Sequence, residues 1–219
     1  MILLDEIDDA REWARGRMWI LRAILLLYFL YADYRMLRDP ESSTMFSGIT
    51  LAFHEMGHLI FAFMGHFIGS LMGSGTQVLI PIIVMVVFLR QRDYFAVSVG
   101  GFWLSFSLFE LARYVGDARA MDLPLVGFSN DPEHDWHYLL GTLHMLPLDT
   151  TFAFLIRVFA FVIGAASLMF AIWLLNEMRK PRVKKVPKPI LSPRPIVPTQ
   201  HSQRPNDAVT KWDEVSKDL

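Results

Sequence analysis

The stretch LAFHEMGHLIFAF, Leu51 to Phe63, carries His54, Glu55 and His58 through an otherwise apolar run. Four residues advance an α-helix by ~400°, so the two imidazoles fall on one face, one turn apart. Imidazoles so placed can hold one Zn²⁺, and the carboxylate beside the first can act as general base on a water at the metal. Zinc lowers the pKa of such a water towards ~7. On a soluble surface helix this pattern would mean little. Inside hydrocarbon it means more, because ionisable side chains there are costly and mark function by default.

Two histidines need a third protein ligand. Six residues after His58 stands Met64, which excludes the three-histidine pattern of the soluble metzincins. Three candidates stay open. His134, in PEHDWHYLL, lies in a loop long enough to fold back over the site. Asp117 ends an apolar block. Asp149, in LPLDT, opens another, although Asp before Thr-Thr is equally a helix N-cap. Asp135 would serve as the partner that orients a ligand imidazole. His66, His137 and His144 read as interfacial.

The elements that must position these residues are apolar blocks. The chain has 219 residues, 53% of them hydrophobic, gathered in Met18–Tyr34, Met45–Met64, Leu71–Leu89, Tyr94–Val115 and Phe152–Leu175. Each approaches the ~20 residues that cross ~30 Å of hydrocarbon as a helix. The expectation is an all-α polytopic membrane protein, a transmembrane domain over 18–177 that includes a polar loop at 117–148. Before it, Leu3, Ile7, Ala10 and Ala14 are spaced for a short amphipathic helix in residues 1–17, lying on the membrane. That segment lacks the basic start and cleavage site of a signal peptide. GHFIGSLMGSGTQ reads as a glycine-rich link, with Gly69 and Gly73 spaced for close helix approach in lipid.

With no cysteine, thiolate sites and disulfides are excluded. The net charge of −1 hides segregation. Basic residues collect in RMLR, RQR and a proline-rich segment that holds seven of them from Arg179 to Arg194. With no acid in that stretch and nothing to build a core, residues 178–219 read as a disordered tail. With five spans these three segments share one side, so the positive-inside rule puts the tail in the cytoplasm and the protein in the inner or plasma membrane. In NDAVTKWDEVSKDL an apolar stripe is spaced for a short terminal helix. Glu110 and Arg157 fall at matching depth in consecutive antiparallel spans, which predicts an ion pair between them.

HEMGH within an apolar helix, followed by GSLMGSG and Pro81, resembles the site-2-protease-type intramembrane zinc metallopeptidases. The chain also looks like a group of small bacterial membrane proteins in which HExGH is followed by DARAM…LP and HDW, here Asp117–Met121, Leu123–Pro124 and His134–Trp136. The first resemblance implies a peptidase with Zn²⁺ as cofactor and Glu55 as base, and a glycine-rich hairpin after the motif. In that family the third ligand is an Asp in an LDG-like motif, and here Thr150 stands where the glycine would be. A lipid amidase or esterase would use the same zinc and base. A metal transporter or sensor would instead line several helices with ligands, whereas Gln77, Glu110 and Arg157 are the few other polar residues at depth. Expected partners are membrane lipid and a membrane-protein or lipid substrate, with no nucleic acid.

Overall fold

In a computed structural model the chain is described over residues 2–39, 41–125 and 133–182. These residues form helices and turns, with no strand among them: α1 (Ile2–Ala14), α2 (Ile20–Arg38), α3 (Ser47–Phe61), α4 (His66–Arg90), α5 (Tyr94–Gly116), α6 (Asp135–Thr142) and α7 (Asp149–Met178). The proline-rich tail beyond Arg182 and the terminal helix expected there lie outside the described residues.

Among the described residues three helices are long and apolar enough to cross a membrane: α4, α5 and the stretch from Leu146 through α7. Three of the five expected spans thus meet the requirement by length and composition. Helix α2 carries Arg22, Asp33, Arg35 and Arg38 within 19 residues. Helix α3 has 15 residues, about 22 Å of rise, short of a ~30 Å core.

Helix α5 is the centre, since 72% of its most apolar window is buried against 28% for α4 and α7. Small residues make this possible. A Cβ added to Gly164 of α7 would stand 2.8 Å from Ser105 Oγ of α5, so the two backbones approach closely, as small residues allow in lipid. Phe29 of α2 stacks on Phe102 of α5 with centroids 4.6 Å apart. Phe46, just before α3, stacks on Trp103 at 5.2 Å. The Trp103 indole donates to Thr50 Oγ1 at 2.9 Å, which fixes α3 against α5.

The glycine-rich segment is helical, not a link. The chain turns at Gly65, whose φ of +94° few other residues adopt, and α4 starts at His66. Of its glycines Gly73 packs tightly on α3, where a Cβ would stand 2.9 Å from His54 Nε2, and Gly57 of α3 returns the close approach. A Cβ on Gly57 would overlap the Met72 carbonyl oxygen and stand 2.6 Å from Thr76 Oγ1. The expected N-terminal helix is present as α1. It buries Ala10 and Ala14, and Trp13 meets Tyr94 edge-on at 5.7 Å, so this face packs on the bundle.

Glu110 and Arg157 do not pair. The Glu110 carboxylate accepts a hydrogen bond from Ser47 Oγ, and Arg157 is exposed. Equal depth follows from helix rise, but it does not fix rotation about the axis. Glu110 points towards the start of α3.

Candidate metal centre

The inner face of α3 presents Thr50, His54 and Gly57 as buried residues, with His58 half-buried beside them. That spacing brings both imidazoles to α4, where Gly73 leaves room. A Cβ there would stand 2.9 Å from His54 Nε2 and overlap the His58 ring. From the other side α6 delivers Asp135. His54 Nε2 and His58 Nε2 each lie 3.2 Å from Asp135 Oδ2, and 3.0 Å from one another.

Tautomers follow from the outer partners. Gln77 Nε2 donates to the Ser107 carbonyl at 3.1 Å, so the amide oxygen must face His54. His54 Nδ1–H then donates to Gln77 Oε1 at 2.9 Å. His58 Nδ1–H donates to the Gly69 carbonyl at 3.0 Å. In the neutral imidazoles both Nε2 atoms are therefore lone pairs, aimed at each other and at a carboxylate oxygen. Three acceptors repel unless a cation or a proton sits between them.

The donor set fits a metal. Tetrahedral bonds of ~2.0–2.1 Å set ligand atoms roughly 3.3 Å apart, close to the three separations here. On a tetrahedral ion, two nitrogens and one carboxylate oxygen would leave a fourth position open. The carbonyl partners of both Nδ1–H groups are the outer support that ligating histidines ordinarily have.

Asp135 is held by Tyr114, whose hydroxyl accepts from the Asp135 backbone N–H at 3.0 Å and donates to Oδ2 at 3.2 Å. Burial alone would raise the Asp135 carboxyl. Its contacts with His54 and His58, which become hydrogen bonds when a proton sits between them, outweigh that and lower the group to about 2. The rest of the HDW segment is clamped as firmly. Trp136 Nε1 donates to Ser74 Oγ at 3.0 Å, and His137 Nδ1 donates to the Ala118 carbonyl at 2.8 Å.

Of the sequence-predicted residues, His54 and His58 are brought together, and Asp117, His134 and Asp149 are not in the cluster. His134 turns away. Its Nδ1 accepts from His137 N–H at 3.2 Å, so its Nε2–H donates to Asp117 Oδ2 at 3.3 Å. Desolvation lowers its pKa, against the pull of Asp117, which agrees with a neutral ring. Asp117 also accepts from the Asp122 and Leu123 backbone N–H groups and so closes the turn after α5. Asp149 is buried at the start of α7, 2.8 Å from Arg119 Nε, and accepts from Thr150 N–H at 2.6 Å.

Glu55 lies on the wall of a cavity of about 300 Å³ that reaches His54. Its other walls include Ser47, Leu51, Glu110, Arg113 and Tyr114. A reacting group in this space would meet both His54 and Glu55.

Gln77, Tyr114 and the Gly69 carbonyl were not singled out as site groups by motif. Gln77 did carry a signal, being one of few polar residues deep in an apolar block. Comparison with family models, curated proteins and solved structures returns no match.

Proposed function

We propose that the protein is a membrane-embedded, metal-dependent hydrolase in which His54, His58 and Asp135 hold a Zn²⁺ and Glu55 is the general base, with peptide-bond cleavage the leading reaction. The observation that carries this reading is the convergence of two Nε2 lone pairs and one carboxylate oxygen, beside a cavity whose wall includes Glu55. When bound, the metal supplies Lewis acidity, which makes water a nucleophile at neutral pH and polarises a carbonyl.

The chain's own groups do the remainder. Gln77 and Gly69 hold the imidazoles in the Nδ1–H tautomer. Tyr114 fixes Asp135. Glu55 takes a proton from the attacking water and delivers it to the leaving group as the tetrahedral centre collapses. The apolar stretches of α4, α5 and α7 support a location in or beside the bilayer for this chemistry, and α2 and α3 pack on that bundle. A lipid amide or ester would meet the same groups, so substrate class rests on assay.

Metal analysis of purified protein tests the site. One equivalent of zinc in wild type, lost from a His54→Ala, His58→Ala double variant, is expected. Wild type and double variant with the same metal content would overturn the reading. Glu55→Gln should keep the metal and lose hydrolysis of both transmembrane-peptide and lipid-amide substrates, because the amide cannot accept the proton. Wild-type turnover by that variant would remove Glu55 as base.

A further inference from the structure

Away from the His54–His58–Asp135 cluster, a second cavity of about 300 Å³ lies between α2 and the α5–α7 pair. Its walls are apolar: Leu30, Leu37, Phe109, Phe161 and Leu168 among them. One charged side chain faces it, Asp33 of α2. Asp33 Oδ1 is shut off from solvent and has no hydrogen-bond partner among the described residues.

The surroundings do not offer a donor. A Cβ on Gly164 would stand 3.4 Å from Asp33 Oδ1, so the α7 backbone forms one wall there. The nearby Ser105 hydroxyl donates instead to the Ala160 carbonyl, at 2.8 Å. A buried carboxylate oxygen is stable only with donors or a countercharge. Asp33 lines the cavity, and a donor group seated there would supply one to its carboxylate.

A cation stands beside one of the lining residues. Arg38 lies five residues further along α2, roughly 7–8 Å of rise. Its guanidinium is 5.9 Å from the ring centroid of Tyr34, another residue lining the cavity. Leu30, Tyr34 and Phe161 are each about half exposed, so the cavity opens sideways between α2 and α7. The occupant that fits carries a cation for Asp33, an anion for Arg38 and a hydrocarbon chain for the apolar walls.

We propose that this groove binds a bilayer phospholipid with a primary-amine headgroup, the ammonium at Asp33, the phosphate within reach of Arg38 and an acyl chain against the apolar walls. A primary ammonium offers three N–H donors to the carboxylate, whereas a quaternary ammonium offers none. The proposal rests on the membrane placement of α5 and α7 and is independent of the metal reading.

Native mass spectrometry of the purified full chain, given phosphatidylethanolamine, phosphatidylcholine and phosphatidylglycerol with matched acyl chains, tests it. Wild type should retain phosphatidylethanolamine several-fold over the other two. Asp33→Asn should erase that preference, and Arg38→Gln should weaken phosphatidylethanolamine and phosphatidylcholine alike. Equal retention of phosphatidylethanolamine and phosphatidylcholine by wild type would overturn the proposal, as would equal retention of phosphatidylglycerol. An unchanged preference in Asp33→Asn would do the same. Should Asp33→Asn fail to fold, wild type with singly and doubly N-methylated phosphatidylethanolamine decides. Retention should fall with each methyl group, and a flat series overturns the assignment.

Discussion

The amide oxygen of Gln77 lies 2.9 Å from His54 Nδ1, while the amide nitrogen is held by the Ser107 carbonyl at 3.1 Å. One side chain on α4 thus reads the backbone of α5 and sets the tautomer of an imidazole on α3. The relationship predicts that Gln77→Leu lowers metal affinity about 10–100-fold while every ligand atom remains, as loss of an outer-shell partner does. Competition against a chelating dye measures it. Affinity within about twofold of wild type would mean that His54 is oriented by its packing alone.

Asp135 and His134 are neighbours with opposite surroundings, and they should behave differently. Asp135→Ala removes a donor atom 3.2 Å from both imidazoles and is expected to abolish stoichiometric metal binding. His134→Ala acts only through Asp117 and should weaken binding less. Because those two form one contact, His134→Ala with Asp117→Ala should cost little more than either change alone. Metal titration of the four variants checks the order. A larger loss from His134→Ala than from Asp135→Ala would restore His134 as a ligand.

Gly73→Ala and Gly57→Ala test the close packing of α3 on α4. A methyl group on Gly73 meets the His54 and His58 rings, so the expected result is loss of metal binding. A methyl group on Gly57 meets the Met72 carbonyl, which is backbone and yields less readily. Overpacking of this kind destabilises by about 1–3 kcal/mol. Thermal unfolding and metal content together separate the two outcomes. A Gly73→Ala protein with full metal would show that the rings can shift without losing their geometry.

The apolar blocks were legible because a helix long enough for a bilayer needs an unbroken run, and α4, α5 and α7 have one. The pair His54 and His58 was legible because helical spacing alone puts them on one face. The third member of the cluster was not: His134, Asp117 and Asp149 were the candidates and Asp135 only an orienting partner, since the choice depends on which side chains of a loop face inwards. PEHDWHYLL has His134 and Asp135 adjacent, and residues adjacent at a helix start point in different directions. Only the Tyr114 hydroxyl, which binds both the backbone and the carboxylate of Asp135, decides between them. The glycine-rich stretch misled for a related reason. Glycine marks either a bend or a close contact, and sequence spacing alone does not say which helix will arrive.

The last prediction concerns Glu177, at the far end of α7. It is 5% exposed, yet it is surrounded by cations. Lys180 Nζ lies 2.6 Å from Oε1 and Arg15 Nε lies 3.3 Å from Oε2, with Arg11 Nε at 4.0 Å. The backbone joins in, because Gly16 N–H donates to the Lys180 carbonyl at 3.0 Å. Together these contacts tie the end of α1 to the end of α7. Lys180 is about half exposed and Arg15 partly so, which means solvent screens much of the attraction. Glu177→Ala should therefore lower stability by about 1–2 kcal/mol, in the range of a charge-assisted hydrogen bond rather than a sealed ion pair. The more specific readout is local. Release of α1 should expose the link between Ala14 and Ile20 to trypsin at Arg15 and Arg17, while metal content stays at the wild-type level because no ligand or orienting group is shared. Unchanged cleavage at those arginines would show that Ala10, Ala14 and Trp13 hold α1 in place without the charges.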